Sequence, residues 1–130
     1  MPIIAHNHLP AYARLHAAGY DVAPAAGPGA PGSGRDLHIG LLNLMSDAAL
    51  EATERQFLRL LAARRPAARI HLHPFTLAAV ARGPKASEHI ARHYATFAQL
   101  RARGLDALIV TGANVTGPDL TVQPFWAPLQ

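Results

Sequence analysis

The chain has 130 residues, of which 50% are apolar and 15% charged, and it contains no cysteine. A chain of this length builds one hydrophobic core, and its apolar fraction excludes an intrinsically disordered protein. Its net charge of +4 is a mild bias toward anionic partners. No apolar run approaches the roughly 20 residues that cross a bilayer, and the first residues lack the pattern of a signal peptide, so we expect a cytoplasmic protein.

Residues 1–35 are predicted to form an N-terminal arm followed by a linker. Apolar residues are scattered through residues 1–22, which is typical of an extended segment with a short helix. Residues 23–34 are almost entirely alanine, glycine and proline. Because proline removes backbone donors and glycine increases chain entropy, this composition predicts a loop. The folded body is therefore expected to occupy residues 36–130.

Three strands and two helices are predicted in the body. Short apolar runs at residues 37–45, 69–73 and 106–111 are typical of strands that are covered on both faces. Helical spacing predicts one helix over residues 48–63, whose apolar stripe also carries Glu54. A second helix is predicted from Ser87 to Gly104, and the stretch between Pro74 and Pro84 is interpreted as a loop.

The alternation of strands and helices predicts an α/β fold with a parallel sheet. Doubly wound domains commonly have five or six strands, so three strands would leave much apolar surface uncovered. We therefore predict a partial doubly wound, flavodoxin-like sheet that forms the N-terminal half of a larger domain.

Two clusters of polar residues suggest alternatives that the sequence does not favour. His71 and His73 share a strand face, and His89 and His93 share a helix face, so the two pairs could together bind zinc. The HExxH order is absent and nothing in the sequence brings the pairs together, so no metal site is predicted. A set of arginines is better explained as solvated surface than as a nucleic-acid interface: Arg64, Arg65, Arg69, Arg101 and Arg103.

The ends of two predicted strands are the most informative positions for function, because open α/β sheets bind ligands at the carboxyl ends of their strands. One end carries residues 43–46 (NLMS) and another carries residues 111–114 (TGAN). The glycine in the second segment allows backbone N–H groups to approach a ligand or an oxyanion closely.

Several segments, taken in order, resemble the N-terminal part of the homoserine O-succinyltransferase family, the homoserine O-acyltransferases of methionine biosynthesis. The longest are residues 41–45 (LLNLM), 56–61 (QFLRLL) and 108–113 (LIVTGA), and the resemblance covers essentially the whole chain. It implies a fold similar to class I glutamine amidotransferases. It also implies an acyl-CoA-dependent enzyme with a Cys-His-Glu triad, whose cysteine takes up the acyl group as a thioester. The resemblance places this triad outside the 130 residues.

The resemblance carries three site residues over to this chain. Gly112 would lie where the fold places a backbone oxyanion donor. Thr116 aligns with a position that carries glycine or glutamate according to succinyl or acetyl preference, and threonine leaves the acyl donor open. Asn43 would lie on the loop beside the pocket and would help to position it.

The resemblance also implies the substrates and partners. Acyl-CoA would be a co-substrate and no cofactor would be bound, while a homoserine-like amino acid would accept the acyl group. The family favours a homodimer, with neither nucleic acid nor a membrane as a partner.

The chain departs from the family pattern beside the expected pocket. Ser46, Asp47 and Ala48 stand where the family usually has a proline followed by lysines, and Asn114 stands where a proline is usual. Loss of the lysines removes positive charge near the pocket, so a divergent substrate is one alternative. A non-catalytic interaction module, which would pair its open sheet with a partner, is the other.

Overall fold

The computed structural model describes residues 3–24, 35–63, 68–115 and 117–130. Its strands and helices, in chain order, are β1 (Ile3–Ala5), α1 (Pro10–Ala17), β2 (Val22–Pro24), β3 (Arg35–Leu42), α2 (Leu50–Ala63), β4 (Ala68–Phe75), α3 (Pro84–His93), α4 (Phe97–Arg103), β5 (Ala107–Val110) and α5 (Trp126–Leu129). Short 3₁₀ turns at Asp47–Ala49 and Leu120–Val122 precede α2 and α5. Among the described residues, no helix combines the length and the apolar composition of a membrane span.

The five described strands form one parallel sheet in the order β2-β1-β4-β3-β5. The longest pairing joins β3 to β4 over eight residues, from Arg35 opposite Ala68 to Leu42 opposite Phe75. β5 pairs with the other side of β3. The structure confirms the predicted α/β class and the parallel, flavodoxin-like partial sheet.

The prediction of only three strands was wrong, because the segment predicted as an arm contributes two more. Ile3 of β1 pairs with Val22 of β2 on one side and with Ile70 of β4 on the other. β1 and β2 each contain three residues, which is too short for an alternating pattern to be recognised. The boundary after residue 35 remains a prediction, since residues 25–34 lie outside the described part of the chain.

β4 continues through Pro74, where the sequence predicted a loop. The N–H group of Asn43 donates to the carbonyl oxygen of Phe75 at 2.9 Å, so the backbone N–H and C=O groups of Phe75 point toward β3. The backbone nitrogen of Pro74 therefore points to the opposite neighbour, β1, which pairs with β4 only at Ile70. The missing N–H of the proline costs no ladder bond to β3, which explains why a proline is tolerated in this central strand.

The single helix predicted between Ser87 and Gly104 is two helices in the structure. The hydroxyl of Thr96 accepts from the N–H of Gln99, and the Gln99 side chain accepts from the N–H of Thr96. This reciprocal capping box begins α4 and separates it from α3. Gly104 ends α4 with a φ of 82°, as predicted, because glycine adopts this left-handed conformation without steric cost.

Two hydrophobic clusters lie on opposite faces of the sheet. The first packs α1 and α2 against alternate residues of the central strands, including Ile39 and Leu72. The second packs Leu100 of α4 and Phe125 against Leu42 and Phe75. On the second face, Leu108 and Val110 of β5 are 55% and 46% exposed. The described residues therefore cover the first face more completely than the second.

Leu58 offers a test of this packing. It is completely buried in the first cluster, while Leu60 on the same helix is 65% exposed. We expect Leu58→Ala to lower the free energy of unfolding by about 2–5 kcal/mol, because the substitution leaves a cavity. The matched control Leu60→Ala should change it by less than about 0.5 kcal/mol. Urea unfolding of both variants measures the difference, and equal effects would contradict the assigned packing.

Candidate functional site

A cleft of about 510 Å³ opens at the carboxyl ends of β3 and β5. Four short segments line it: residues 44–48 after β3, residues 80–82 before α3, residues 113–114 after β5, and residues 123–125. This is the edge at which open α/β sheets bind their ligands. The structure thus brings together the two strand ends that the sequence singled out.

Gly112 lies beside this cleft, between Thr111 and the lining residue Ala113. The hydroxyl of Thr111 accepts from the N–H of Leu44 at 2.8 Å and donates to the carbonyl oxygen of Gly112, which ties the two strand ends together. A Cβ atom added at Gly112 would meet nothing within 4 Å. Packing therefore does not require a glycine here, and the oxyanion role of its N–H remains a prediction.

Asn43 lies at the end of β3 and is completely buried. Its side-chain amide donates to the carbonyl oxygen of Leu50 at 3.1 Å and to the hydroxyl of Tyr94 at 3.0 Å. Its side-chain oxygen accepts from the N–H of Met45 at 3.3 Å. Asn43 therefore fixes the beginning of residues 44–48, which we call the cleft loop. Its positioning role for a substrate remains a prediction. Thr116 lies outside the described residues.

A buried glutamate continues the network that starts at Asn43. Glu54 of α2 is completely buried, and its Oε1 atom accepts from the hydroxyl of Tyr94 and from Nε2 of His89 at 2.8 Å. Burial, followed by the charge of Glu54, raises the pKa of Tyr94 above its usual value, so the tyrosine stays protonated. The sequence carried a signal for this buried carboxylate, because Glu54 lies within the apolar stripe of the predicted helix.

Arg82 also holds the cleft loop, through hydrogen bonds to its backbone. The sequence analysis did not identify this residue. One terminal nitrogen, Nη2, donates to the carbonyl oxygen of Asn43 at 3.0 Å and to the hydroxyl of Thr76 at 3.3 Å. The other, Nη1, donates to the carbonyl oxygen of Met45 and to the carboxylate of Asp47 at 3.2 Å. The side chain is only 6% exposed, and its Nε has no partner among the described residues. A single arginine in a loop has no periodic pattern by which a sequence could reveal this role.

Asp47, at the position where the resemblance predicts a lysine, is hydrogen-bonded to its neighbours. Its carboxylate accepts from the N–H of Gly83 at 2.8 Å, at the start of α3. This backbone hydrogen bond, together with the guanidinium of Arg82, lowers the pKa of Asp47. The negative charge of Asp47 is thus compensated by the guanidinium of Arg82, which also lines the cleft.

The structure does not bring the two histidine pairs together. His71 and His73 contact His6 and His38 on the sheet, whereas His89 and His93 contact each other on α3. Within the described part of the chain, no group of three or more metal-ligating side chains is arranged to hold a metal ion. Of the arginines weighed above, Arg69 forms a two-pronged hydrogen bond with Asp36, while Arg64 and Arg65 lie outside the described residues.

Comparison with known proteins finds one family over almost the whole chain. The family model described as homoserine O-succinyltransferase matches residues 2–130. A homoserine O-succinyltransferase of Allochromatium vinosum is 55% identical over 99% of this chain, and one of Methylococcus capsulatus is 52% identical over 99%. A third, from Thiobacillus denitrificans, is 53% identical over the same share. The chain spans 36%, 36% and 37% of the lengths of these relatives, or about a third.

The role assigned to Arg82 can be tested by its removal. We expect Arg82→Met to lower the free energy of unfolding by about 3 kcal/mol, because buried carbonyl groups of the cleft loop lose a charged donor. Hydrogen exchange should accelerate at residues 44–48 more than in α1. Arg59→Met is the matched control, since Arg59 is exposed on α2 and should change little. Unchanged exchange in the loop of the Arg82 variant would contradict the assignment.

Proposed function

Because the chain belongs to the homoserine O-succinyltransferase family, we propose that it forms part of an enzyme that transfers an acyl group from acyl-CoA to the hydroxyl of homoserine or a similar amino acid. The match of the family model to residues 2–130 carries this proposal. The cleft at the carboxyl ends of β3 and β5 supports it, because such clefts hold the substrates of open α/β enzymes.

The proposed reaction has two acyl-transfer steps. A cysteine thiolate attacks the carbonyl carbon of the acyl-CoA thioester and expels CoA, and the acceptor hydroxyl then attacks the new enzyme thioester and frees the thiol. The 130 residues contain no cysteine, so the sulfur atom must belong to another part of the enzyme. Each step passes through an oxyanion that needs hydrogen-bond donors.

The described residues would contribute the walls and floor of the site. The backbone N–H of Gly112 would donate to the oxyanion. Asn43 and Arg82 would hold residues 44–48 in the conformation that lines the cleft. The acyl donor is left open, and succinyl-CoA and acetyl-CoA are the two candidates to be compared.

A chimaeric enzyme tests the proposed function directly. We would replace the matched segment of the Allochromatium vinosum relative with these 130 residues and supply homoserine with either acyl-CoA. We expect kcat/KM for the preferred donor to stay within roughly 100-fold of the parent enzyme, a loss of about 2.7 kcal/mol in transition-state binding. Labelled acyl-CoA should also leave label on the protein.

The 130-residue chain alone is the negative control, because it has no thiol to acylate and should take up no label. A chimaera that unfolds at the same temperature as the parent enzyme but forms no product with either donor would contradict the proposal. That result would favour the non-catalytic alternative.

Two substitutions at Gly112 test its backbone N–H in the same chimaera. Gly112→Pro removes this donor and is expected to lower kcat by roughly 10²- to 10³-fold, the usual effect of losing one oxyanion-hole donor. Gly112→Ala retains the N–H, and its added Cβ meets no atom within 4 Å, so its kcat should be nearly unchanged. The melting temperatures of both variants check that the fold is intact. Full activity of the proline variant would exclude this role.

A further inference from the structure

One buried N–H group beside the cleft has no hydrogen-bond partner among the described residues. It belongs to Nε of Arg82, a residue that lines the cleft and whose side chain is only 6% exposed. Buried polar groups nearly always have a partner, and each exception calls for a physical explanation. The role of Arg82 in holding the cleft loop does not supply one, because that role does not use this N–H.

The other four N–H groups of the same guanidinium are all used. The two on Nη1 donate to the carbonyl oxygen of Met45 and to the carboxylate of Asp47. The two on Nη2 donate to the carbonyl oxygen of Asn43 at 3.0 Å and to the hydroxyl of Thr76 at 3.3 Å. A guanidinium has five N–H donors and no acceptor. The Nε–H of Arg82 is therefore the donor that can bind a ligand without releasing the cleft loop.

Arg69 shows which ligand fits this edge of a guanidinium. Its Nε donates to one carboxylate oxygen of Asp36 at 2.7 Å, and its Nη2 donates to the other at 2.9 Å. Two parallel N–H groups match the two oxygens of a carboxylate, and such two-pronged pairs are among the strong hydrogen bonds of proteins. On Arg82 the same edge has an unused Nε, and the longer of the two bonds from Nη2 is the one to Thr76.

The charge of Arg82 also favours an anion at this edge. Three of its four present partners are neutral, namely two backbone carbonyl oxygens and one hydroxyl. The fourth is Asp47, whose side chain is 42% exposed, lies 3.2 Å away and also accepts from a backbone N–H. A buried charge is costly unless it is paired and hydrogen-bonded. A carboxylate therefore suits this edge better than a neutral ligand does.

We propose that Arg82 binds a carboxylate group of a substrate in the cleft, with Nε–H and one N–H of Nη2 donating to its two oxygens. The carboxylate replaces the hydroxyl of Thr76 at Nη2, and the bonds from Arg82 to the backbone of the cleft loop stay in place. Thr76 follows β4 and is only partly buried, so its side chain can rotate without the loss of a ladder hydrogen bond. This rotation opens the buried edge to the cleft.

The source of the carboxylate rests on the proposed function, which offers two. A succinyl group carries a carboxylate at the end of its acyl chain, whereas an acetyl group carries none. Homoserine, the proposed acceptor, carries an α-carboxylate. Binding at Arg82 therefore favours either succinyl-CoA over acetyl-CoA, or an α-amino acid over an amino alcohol as the acceptor.

NMR of the nitrogen-15-labelled 130-residue chain tests the contact itself, because the Nε–H group of each arginine gives its own signal. We expect succinate, homoserine or both to move the Arg82 signal toward that of Arg69, whose Nε already donates to a carboxylate. The signal of Arg59, which is exposed on α2, is the internal control and should stay unchanged.

Neutral and phosphate probes show whether the response is specific for a carboxylate. Succinamide has the shape of succinate without its charge, and inorganic phosphate represents the phosphate groups of CoA. Neither should move the Arg82 signal as far as succinate or homoserine does at the same ionic strength. An Arg82 signal that stays in place with both carboxylates, or that moves equally with succinamide or with phosphate, would overturn the proposal.

Removal of the competing hydroxyl gives a second test that leaves Arg82 intact. Thr76→Val frees one N–H of Nη2, so we expect the Kd of the bound carboxylate to fall by roughly three- to tenfold, the usual range for one neutral hydrogen bond. Thr53→Val is the matched control, because the Thr53 hydroxyl donates to the carbonyl oxygen of Ala49 on α2 and does not touch Arg82. Equal Kd values in the two variants would also overturn the proposal.

The chimaeric enzyme described above then identifies the source. If the acyl group supplies the carboxylate, Thr76→Val should lower the KM for succinyl-CoA and leave the KM for acetyl-CoA unchanged. If the acceptor supplies it, the KM for homoserine should fall with either donor. Unchanged KM values for all three substrates in an active chimaera would overturn the assignment to a substrate. An inactive chimaera would contradict the proposed function alone, because the NMR titration does not depend on catalysis.

Discussion

The pairing of β3 with β4 is the constraint on which the rest of the molecule depends. It extends over eight residues and places each face of the central sheet in register. At the carboxyl end, the ladder continues through the bond from Asn43 to Phe75 and so fixes where the cleft loop begins. Toward the amino end, it sets His38 beside His71 and Gly40 beside His73. A slip of one residue would exchange the two faces and would destroy both hydrophobic clusters and the cleft.

Two buried charges stabilise the cleft loop at a cost that simple packing would avoid. Glu54 and Arg82 are both buried, and each has one polar atom without a partner among the described residues. Burial of a charge is expensive unless it is paired and hydrogen-bonded, and replacement of a complete buried ion pair by apolar residues is often neutral for stability. These residues instead fix the orientation of Asn43. Glu54 reaches its side chain through Tyr94, and Arg82 binds its backbone carbonyl oxygen. The loop between β3 and α2 is therefore held in one conformation.

The central part of the fold could be predicted from sequence, because apolar runs and helical spacing are strong over residues 37–63 and 106–111. The short strands β1 and β2 could not, since three residues carry no measurable period and become strands only by pairing with β4. The break between α3 and α4 depends on the capping box at Thr96, a local signal that the apolar spacing across it conceals. The strand ends at the cleft followed from the general behaviour of parallel sheets.

The residues that hold the site in place were less predictable than its position. Arg82 acts through contacts between segments far apart in sequence, and no spacing rule encodes them. The proposed chemistry came from resemblance to a family, and no physical property of the 130 residues by itself indicated acyl transfer.

The strand order also restricts the side from which a catalytic cysteine could reach the cleft. Under the proposed function, a cysteine from another part of the enzyme must reach the cleft at the ends of β3 and β5. The edge strand β2 is separated from β3 by β1 and β4, whereas β5 adjoins the cleft and has only β3 as a neighbour among the described strands. An edge strand exposes unpaired backbone groups, and β5 also exposes Leu108 and Val110. Additional strands on the β5 side would pair this backbone, cover these side chains and place a new strand end next to Gly112. The nucleophile is therefore expected to approach across the edge of β5.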